Sequence, residues 1–345
     1  MKDFLVERWE DIQDYLGGGT VAKIIGAMVG LYLAAAAVIG WYWSWEPEPF
    51  PVVEEAQAKV SALGGKPARG YATTATLIGL MDTLLQKPGG YISNDVFPPG
   101  LWLDNISNWE FGVLVQVRDL ARAMRKDISR SQSQSSEDPD LVAAEPQFNF
   151  DSQSWVLPAT ETEYKRGIKA MNKYLRRLTK PEGADAQFYA RADNLSEWLA
   201  DVGVRLGSLS QRLSESVGKT QYDTSMAGEK YATSAEQAGT EHEKKTPWLE
   251  IDDVFYEARG TAWALTQILR AVEVDFAEVL KDKNAAVSLQ QIIAELEGTQ
   301  ETVWSPMILN GSGFGVLANH SLTMASYISR ANAAIIDLRT LLAKG

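Results

Sequence analysis

The chain has no cysteine and only two histidines, His242 and His320. The first absence excludes disulfides, thiolate catalysis, cysteine-held zinc and iron–sulfur clusters. The second excludes a metal or catalytic centre built on several imidazoles. Positive charge is scarce: 33 Lys and Arg stand against 45 Asp and Glu, a net charge of −12. So acidic a chain lacks the basic footprint that a phosphate backbone requires, and no nucleic acid is expected as partner. No serine sits in Gly-x-Ser-x-Gly, and the carboxylates show no calcium-loop spacing. The run Asn310–Gly315 (NGSGFG) lacks the preceding strand and the Gly-Lys-Ser/Thr of a phosphate loop, and reads as an interhelical loop. No period-two pattern is sustained, so no large sheet is expected. No catalytic residue, cofactor or metal site is assigned.

One absence is local. Residues 24–45 (IIGAMVGLYLAAAAVIGWYWSW) carry no charge. A helix of that length covers ~33 Å, enough for a hydrocarbon core of ~30 Å. We read it as a transmembrane helix. Lys23 borders it on one side, while Glu46 and Glu48 open the other, so the positive-inside rule puts residues 1–23 in the cytoplasm as a short tail. Trp41, Tyr42, Trp43 and Trp45 are the aromatic anchors expected at the outer interface, with Lys23 at the inner one. A cleaved leader is the competing reading; the acidic, long stretch before the apolar run argues against it. The tail has a weak amphipathic stripe, Leu5, Trp9, Ile12 and Leu16, and is too short for an effector domain. Residues 46–55, with Pro47, Pro49 and Pro51, form a stiff exit linker.

Residues 56–345 read as one periplasmic helical domain, with the polar loop 218–246 as the place where a sub-boundary would fall. Helices are expected over 56–63, 71–85 and 109–130, the last capped by Asn108 with Phe111, Leu114, Val117, Ala121, Met124 and Ile128 on one face. The polar stretch 129–140 is a loop, and 147–158 is an extended strap. A further helix, capped by Thr160 or Thr162, runs to Leu178. Two heptad seams follow: Phe188, Ala192, Leu195, Leu199, Val202, Leu206, Leu209, Leu213; and Phe255, Ala258, Ala262, Leu265, Leu269, Val272, Phe276, Val279. A short helix spans 287–296, and the last helix carries Met324, Ile328, Ala331, Ile335, Leu338 and Leu342. The fold class is therefore mainly α: one transmembrane helix, then an elongated antiparallel helical bundle.

Two surfaces are candidates for binding. The loop 89–110 gathers Tyr91, Phe97, Trp102, Asp104, Asn105, Trp109 and Glu110, and loops that combine aromatics with carboxylates often bind something. The plainer reading is that these rings plug the end of the bundle. Lys165, Lys169, Lys173, Arg176 and Lys180 form a basic stripe on one helix, suited to anionic head groups or an acidic partner, or to a solvated face paired with acidic neighbours. Arg118, Arg122 and Arg125 make a smaller stripe. His320 falls on the seam of the last helix and reads as a hydrogen-bonded core histidine.

The segments GYATTATLIGLMDTLLQKPGGYISNDVFPPG, WLDNISNWEFGVLVQVRDLARAMR, SRSQSQSSEDPDL and QFYARADNL resemble a proteobacterial family known as domain of unknown function 2333. The resemblance covers nearly the whole chain. It implies a single-pass inner-membrane protein of Gram-negative bacteria and brings no activity, cofactor or catalytic residue. The leading functional expectation is a non-enzymatic envelope scaffold or partner-binding module. Its partners would be the bilayer through 24–45 and an envelope protein or a second copy of the chain. The alternative is a periplasmic domain binding a lipid or cell-wall ligand. A carboxylate-dependent hydrolase, which would need two acids at a set separation, ranks third.

Overall fold

The computed structural model describes residues 18–131, 135–180, 185–221, 242–312 and 315–344. The amphipathic stripe expected at Leu5–Leu16 lies outside these residues, as does most of the polar stretch 218–246. The described residues form eleven α-helices: α1 (Gly18–Trp43), α2 (Val52–Ala62), α3 (Tyr71–Gln86), α4 (Asp104–Ala123), α5 (Pro139–Phe148), α6 (Thr160–Leu178), α7 (Ala192–Ser214), α8 (Ile251–Asp275), α9 (Ala277–Asp282), α10 (Ala286–Gly298) and α11 (His320–Ala343). Two three-residue strands, β1 (Lys219–Gln221) and β2 (His242–Lys244), pair antiparallel. The chain is mainly α and bundled.

The seams predicted from heptad spacing are the core. Met324, Ile328, Ala331, Ile335, Leu338 and Leu342 of α11 are all buried, as are Leu195, Leu199, Val202, Leu206, Leu209 and Leu213 of α7. These two helices run antiparallel. A Cβ on Gly203 would touch Asn332 and Ile335, and Ser210 bonds the carbonyl of Ala325. The seam of α8 is buried from Phe255 to Phe276. Phe188 lies before α7, and its ring fills the space that a side chain on Gly70 would need.

From α3 onward the long helices alternate in direction, so their ends gather at two poles. Asp275, at the end of α8, accepts hydrogen bonds from Gly70 N at 2.9 Å and Thr73 N at 2.6 Å at the start of α3. That pole also holds the end of α6, where Thr179 O accepts from Lys66 N, and the end of α11, where Lys344 O accepts from Lys283. The opposite pole holds the end of α3 and the starts of α4, α6, α8 and α11. Helix α1 joins there. Because α4 and α8 both start at this pole, they pack in parallel: Thr261 Oγ1 donates to Gly112 O. A Cβ on Gly112 would meet Glu257 O at 2.2 Å, and one on Gly260 would meet Trp109 O at 2.0 Å. Only glycine allows two helix backbones to approach so closely.

Three expectations about local structure are corrected. Helix α4 begins at Asp104, one turn before the expected Asn108 cap. The Asp104 carboxylate already accepts from Asn105 N. The Asn108 amide reaches back to Asp104 O and across to Asp253 at 2.7 Å. On the same helix Phe111 turns partly to solvent, leaving the buried face to Ile106, Trp109, Val113, Leu114 and Val117. The stretch read as loop and strap contains α5, started by Asp138, whose carboxylate accepts from Asp140 N and Leu141 N, with Pro139 at the first helical position. That cap and that proline are ordinary helix-start chemistry.

Candidate functional site

The junction between α1 and the bundle is built from one face of α1. Tyr32, Ala36, Gly40 and Trp43 recur at helical spacing, and Ala36 and Gly40 are the buried residues of an otherwise exposed apolar helix. Their small size lets the loop after α3 lie along the helix. Tyr32 Oη donates to Pro98 O at 2.7 Å, and a Cβ on Gly40 would stand 3.1 Å from Pro99 and 3.6 Å from Leu103. The ring of Trp43 packs where a side chain on Gly89 would be, and Gly89 has φ +85°. Trp41, Tyr42 and Trp45 point outward, with Trp41 and Trp45 edge-to-face at 5.1 Å. Lys23 is exposed near the other end of the helix.

Just beyond α1, Glu46 pairs with Arg259 at 2.6 Å. Arg259 also donates to the carbonyls of Thr299, Gln300 and Glu301. One guanidinium thus ties the exit of α1 to α8 and to the end of α10. Burial pushes the Glu46 carboxyl above its ordinary range, against the pull of Arg259.

The 89–110 candidates separate into two groups. Tyr91, Trp109 and Glu110 are core: Tyr91 stacks edge-on with Tyr164 at 5.5 Å, and Trp109 lies 5.0 Å from Trp263. Glu110 is fully buried and pairs with the equally buried Lys87 at 2.7 Å. It also accepts from Ile92 N and Ser93 N, each at 2.9 Å, and from Ser93 Oγ at 2.5 Å. Burial raises its carboxyl while Lys87 and these donors oppose the rise. Burial likewise pushes the Tyr91 hydroxyl up. Phe97 and Trp102 belong to the other group and face outward, Phe97 stacked on Trp155 of the neighbouring loop at 6.0 Å. Asp104 is exposed and Asn105 half-buried at the start of α4. Asp104 stands with Asp252 and Asp253 of α8; burial, then the charges of Asp104 and Asp252, push the Asp253 carboxyl up to about 6.

Lys165, Lys169, Lys173 and Arg176 of the basic stripe lie on α6, whereas Lys180 stands two residues past its end; all five are exposed. Their neighbours are engaged instead: Arg166 with Glu163, and Arg177 with Asp138 and Asp140. Among the described residues none of the five stripe cations makes an ion pair. Arg122 and Arg125 of the smaller stripe pair with Asp201 and Glu145, and Arg118 donates to Phe148 O and Phe150 O.

Sequence reasoning missed a cleft of about 640 Å³ lined by Phe255, Arg259, Val303, Trp304, His320 and Tyr327. His320 Nδ1 accepts from Leu309 N at 2.9 Å, and partial burial lowers its basicity. The signal available was Trp304 in an uncharged loop, but its partners come from α8 and α11. Among the described residues no group of three or more His, Asp and Glu is placed to hold a metal ion.

Neither a curated protein nor a solved structure matches this chain. A family model described as an uncharacterized protein conserved in bacteria (DUF2333) matches residues 17–345, nearly its whole length. The chain belongs to the DUF2333 family of bacterial proteins.

Proposed function

We propose that this protein is a single-pass inner-membrane protein whose helical domain stands in the periplasm and acts as a non-enzymatic scaffold or partner-binding module. The observation that carries this reading is α1. Its stretch Val21–Trp43 is long and apolar enough to cross a membrane, and its side chains are almost all exposed. A core helix of a soluble bundle would be covered. The bundle grips only one face of α1, through the 96–103 loop and Trp43, and fixes its exit through Glu46 and Arg259. A leader destined for removal has no need of such a seat. Orientation rests on Lys23 at one edge and the acidic exit at the other.

The non-enzymatic part is supported by how the loop's buried acid is used. Both Glu110 oxygens are engaged by Lys87, Ile92 and Ser93, which suits a structural role better than proton transfer. The exposed α6 stripe, without an ion pair among the described residues, offers a partner with an acidic surface a place to dock. The cleft beside Trp304 favours a second reading, a lipid or cell-wall ligand held among aromatic rings next to Arg259. Mild detergent extraction of the native protein, followed by size analysis and mass spectrometry, separates the two. A defined assembly with an envelope protein or a second copy is expected. A lone chain carrying lipid or glycan would replace the scaffold reading with the ligand-binding one.

A further inference from the structure

The two poles of the bundle differ in chemistry. At the α1 pole, three loop segments carry no charge, residues 96–103, 152–160 and 302–319; the fourth connection there, 215–250, is charged, and carboxylates border each of the three (Asp95, Asp151 and Glu301). Each presents large apolar side chains outward: Phe97 and Trp102 in the first, Trp155 and Leu157 in the second, Trp304 and Leu317 in the third. All six are half or more exposed, Leu157 and Trp304 above 90%. At the opposite pole every connection is charged. Lys66 and Arg69 lie in one, Arg130 and Glu137 in the next, Asp185 and Arg191 in the third, and Lys283 in the last. The exposed large apolar side chains toward that pole, Val142, Val287 and Ile336 among the described residues, are aliphatic and stand singly. Scattered apolar exposure is normal for a protein surface, but a gathering of the exposed aromatic rings at one pole is not.

The first two loops are placed along α1, the second through the first, and the third continues from Glu301, whose carbonyl accepts from the Arg259 that pairs with Glu46 at the exit of α1. Gly40 and Tyr32 lie three and eleven residues before Trp43, about 5 and 16 Å down the helix axis. The loop segment Pro98–Leu103 lies against this stretch of α1, so whatever solvent surrounds α1 there also surrounds the loop tip. The second loop is joined to the first by the Phe97–Trp155 stack and by the Asn94 amide bonding Ser154 O. Leu157 holds a backbone φ of 53°, a conformation costly for leucine, and turns its side chain outward. In water such a side chain gains nothing from exposure.

We infer that the α1 pole is a second membrane-binding surface, with Phe97 and Trp102, Trp155 and Leu157, and Trp304 and Leu317 set into the leaflet nearest the domain. This rests on the reading of α1 as a membrane span. The occupant is lipid rather than protein because the loop is in register with the apolar part of α1. Trp102 adjoins Leu103, which meets α1 at Gly40 about one helical turn from Trp43, within the interfacial layer that indole prefers. The domain would then stand on the bilayer with a fixed face, its α6 stripe and far pole presented outward, instead of swinging on its linker.

The absence of native cysteine makes the test direct. Phe97→Cys, Leu157→Cys and Leu317→Cys each place one probe in a loop; Leu33→Cys marks α1 and Lys66→Cys the far pole. All five sites are at the surface, outside the core, so the fold should tolerate them. Each full-length variant carries a polarity-sensitive fluorophore and is reconstituted into phosphatidylcholine vesicles, with or without phosphatidylcholine bearing a nitroxide on its acyl chain. The three loop probes are expected to lose emission to an extent comparable with Leu33→Cys, while Lys66→Cys keeps its emission. Loop probes that behave like Lys66→Cys while Leu33→Cys is quenched would overturn the inference and leave the anchor intact. An unquenched Leu33→Cys would remove the anchor and the inference together.

Discussion

The buried pair Lys87–Glu110 gives the sharpest test of how the α1 pole is held in shape. Glu110 sits in the second turn of α4, and its oxygens gather the backbone of Ile92 and Ser93, the start of the loop that lies on α1. Lys87 Nζ lies 2.7 Å from the carboxylate and also donates to Gly90 O. Lys87→Met keeps most of the apolar stem and removes the charge. The carboxylate is then buried without its cation, a change that costs about 3–5 kcal/mol. For a domain of this size the loss corresponds to a fall in Tm on the order of 10 °C. Glu110→Gln in the same chain removes the stranded charge while keeping an acceptor for the loop N–H groups. The double variant is therefore expected to recover most of the loss, short of the ~1 kcal/mol hydrogen bond to Gly90. The sign with pH follows from the raised Glu110 carboxyl. An acid whose folded pKa exceeds its unfolded value loses stability as pH rises through that window. Removing Lys87 removes an interaction that holds the Glu110 carboxyl down, so it rises further than in the wild type, and the Lys87→Met deficit should be larger at pH 8 than at pH 5. Thermal unfolding of the detergent-solubilised protein reads all three quantities. A single variant within ~1 kcal/mol of the wild type, or costs that simply add in the double variant, would refute the reasoning.

Three further outcomes are expected. Gly260→Ala pushes a methyl into Trp109 O at the α4–α8 crossing, and should cost at least the upper end of the ~1–3 kcal/mol typical of overpacking, read by chemical denaturation. Asp275→Ala removes the acceptor for Gly70 N and Thr73 N and should cost ~2 kcal/mol, with hydrogen exchange at the start of α3 accelerating before that of α11. Asp253→Asn keeps the acceptor for Asn108 and removes one charge from the acidic group at the start of α8. The folded pKa of Asp253 is pushed up to about 6, so the variant should unfold at higher temperature than the wild type at pH 8. The gain should fade as pH drops through 6 and the wild-type carboxyl takes up its proton; a gain that does not change with pH would contradict the crowding.

What the sequence made legible was periodic. The seams of α7, α8 and α11 could be read residue by residue because a buried helix face repeats every three to four positions. Helix α5 escaped this reading: Asp138 followed by Pro139 marks its start, but the polar stretch before it reads as loop and its last residues as part of a strap. The division of the 89–110 loop was not legible. Tyr91 and Phe97 are both aromatic, and nothing local says that Tyr91 meets Tyr164 while Phe97 meets Trp155. Local sequence likewise did not show that Glu110 would find Lys87, or that Gly112 and Gly260 would bring two backbones together. The cleft lined by Trp304 and Phe255 depends on the same kind of distant meeting. Trp43 shows how periodicity and composition compete. Composition groups it with Trp41, Tyr42 and Trp45 as an interfacial belt, whereas helical spacing sets it on the face of Tyr32, Ala36 and Gly40, where Gly89 receives it.

The central claim is that α1 spans a membrane with the helical domain on the outer side. Single cysteines at Asp3, in the tail, and at Lys66, on the far pole, test it in one experiment on spheroplasts treated with a membrane-impermeant maleimide. Asp3→Cys should react only after lysis, and Lys66→Cys should react before it, with the chain recovered in the membrane fraction after alkaline wash. The reverse pattern, or a chain released by the wash, would contradict the account.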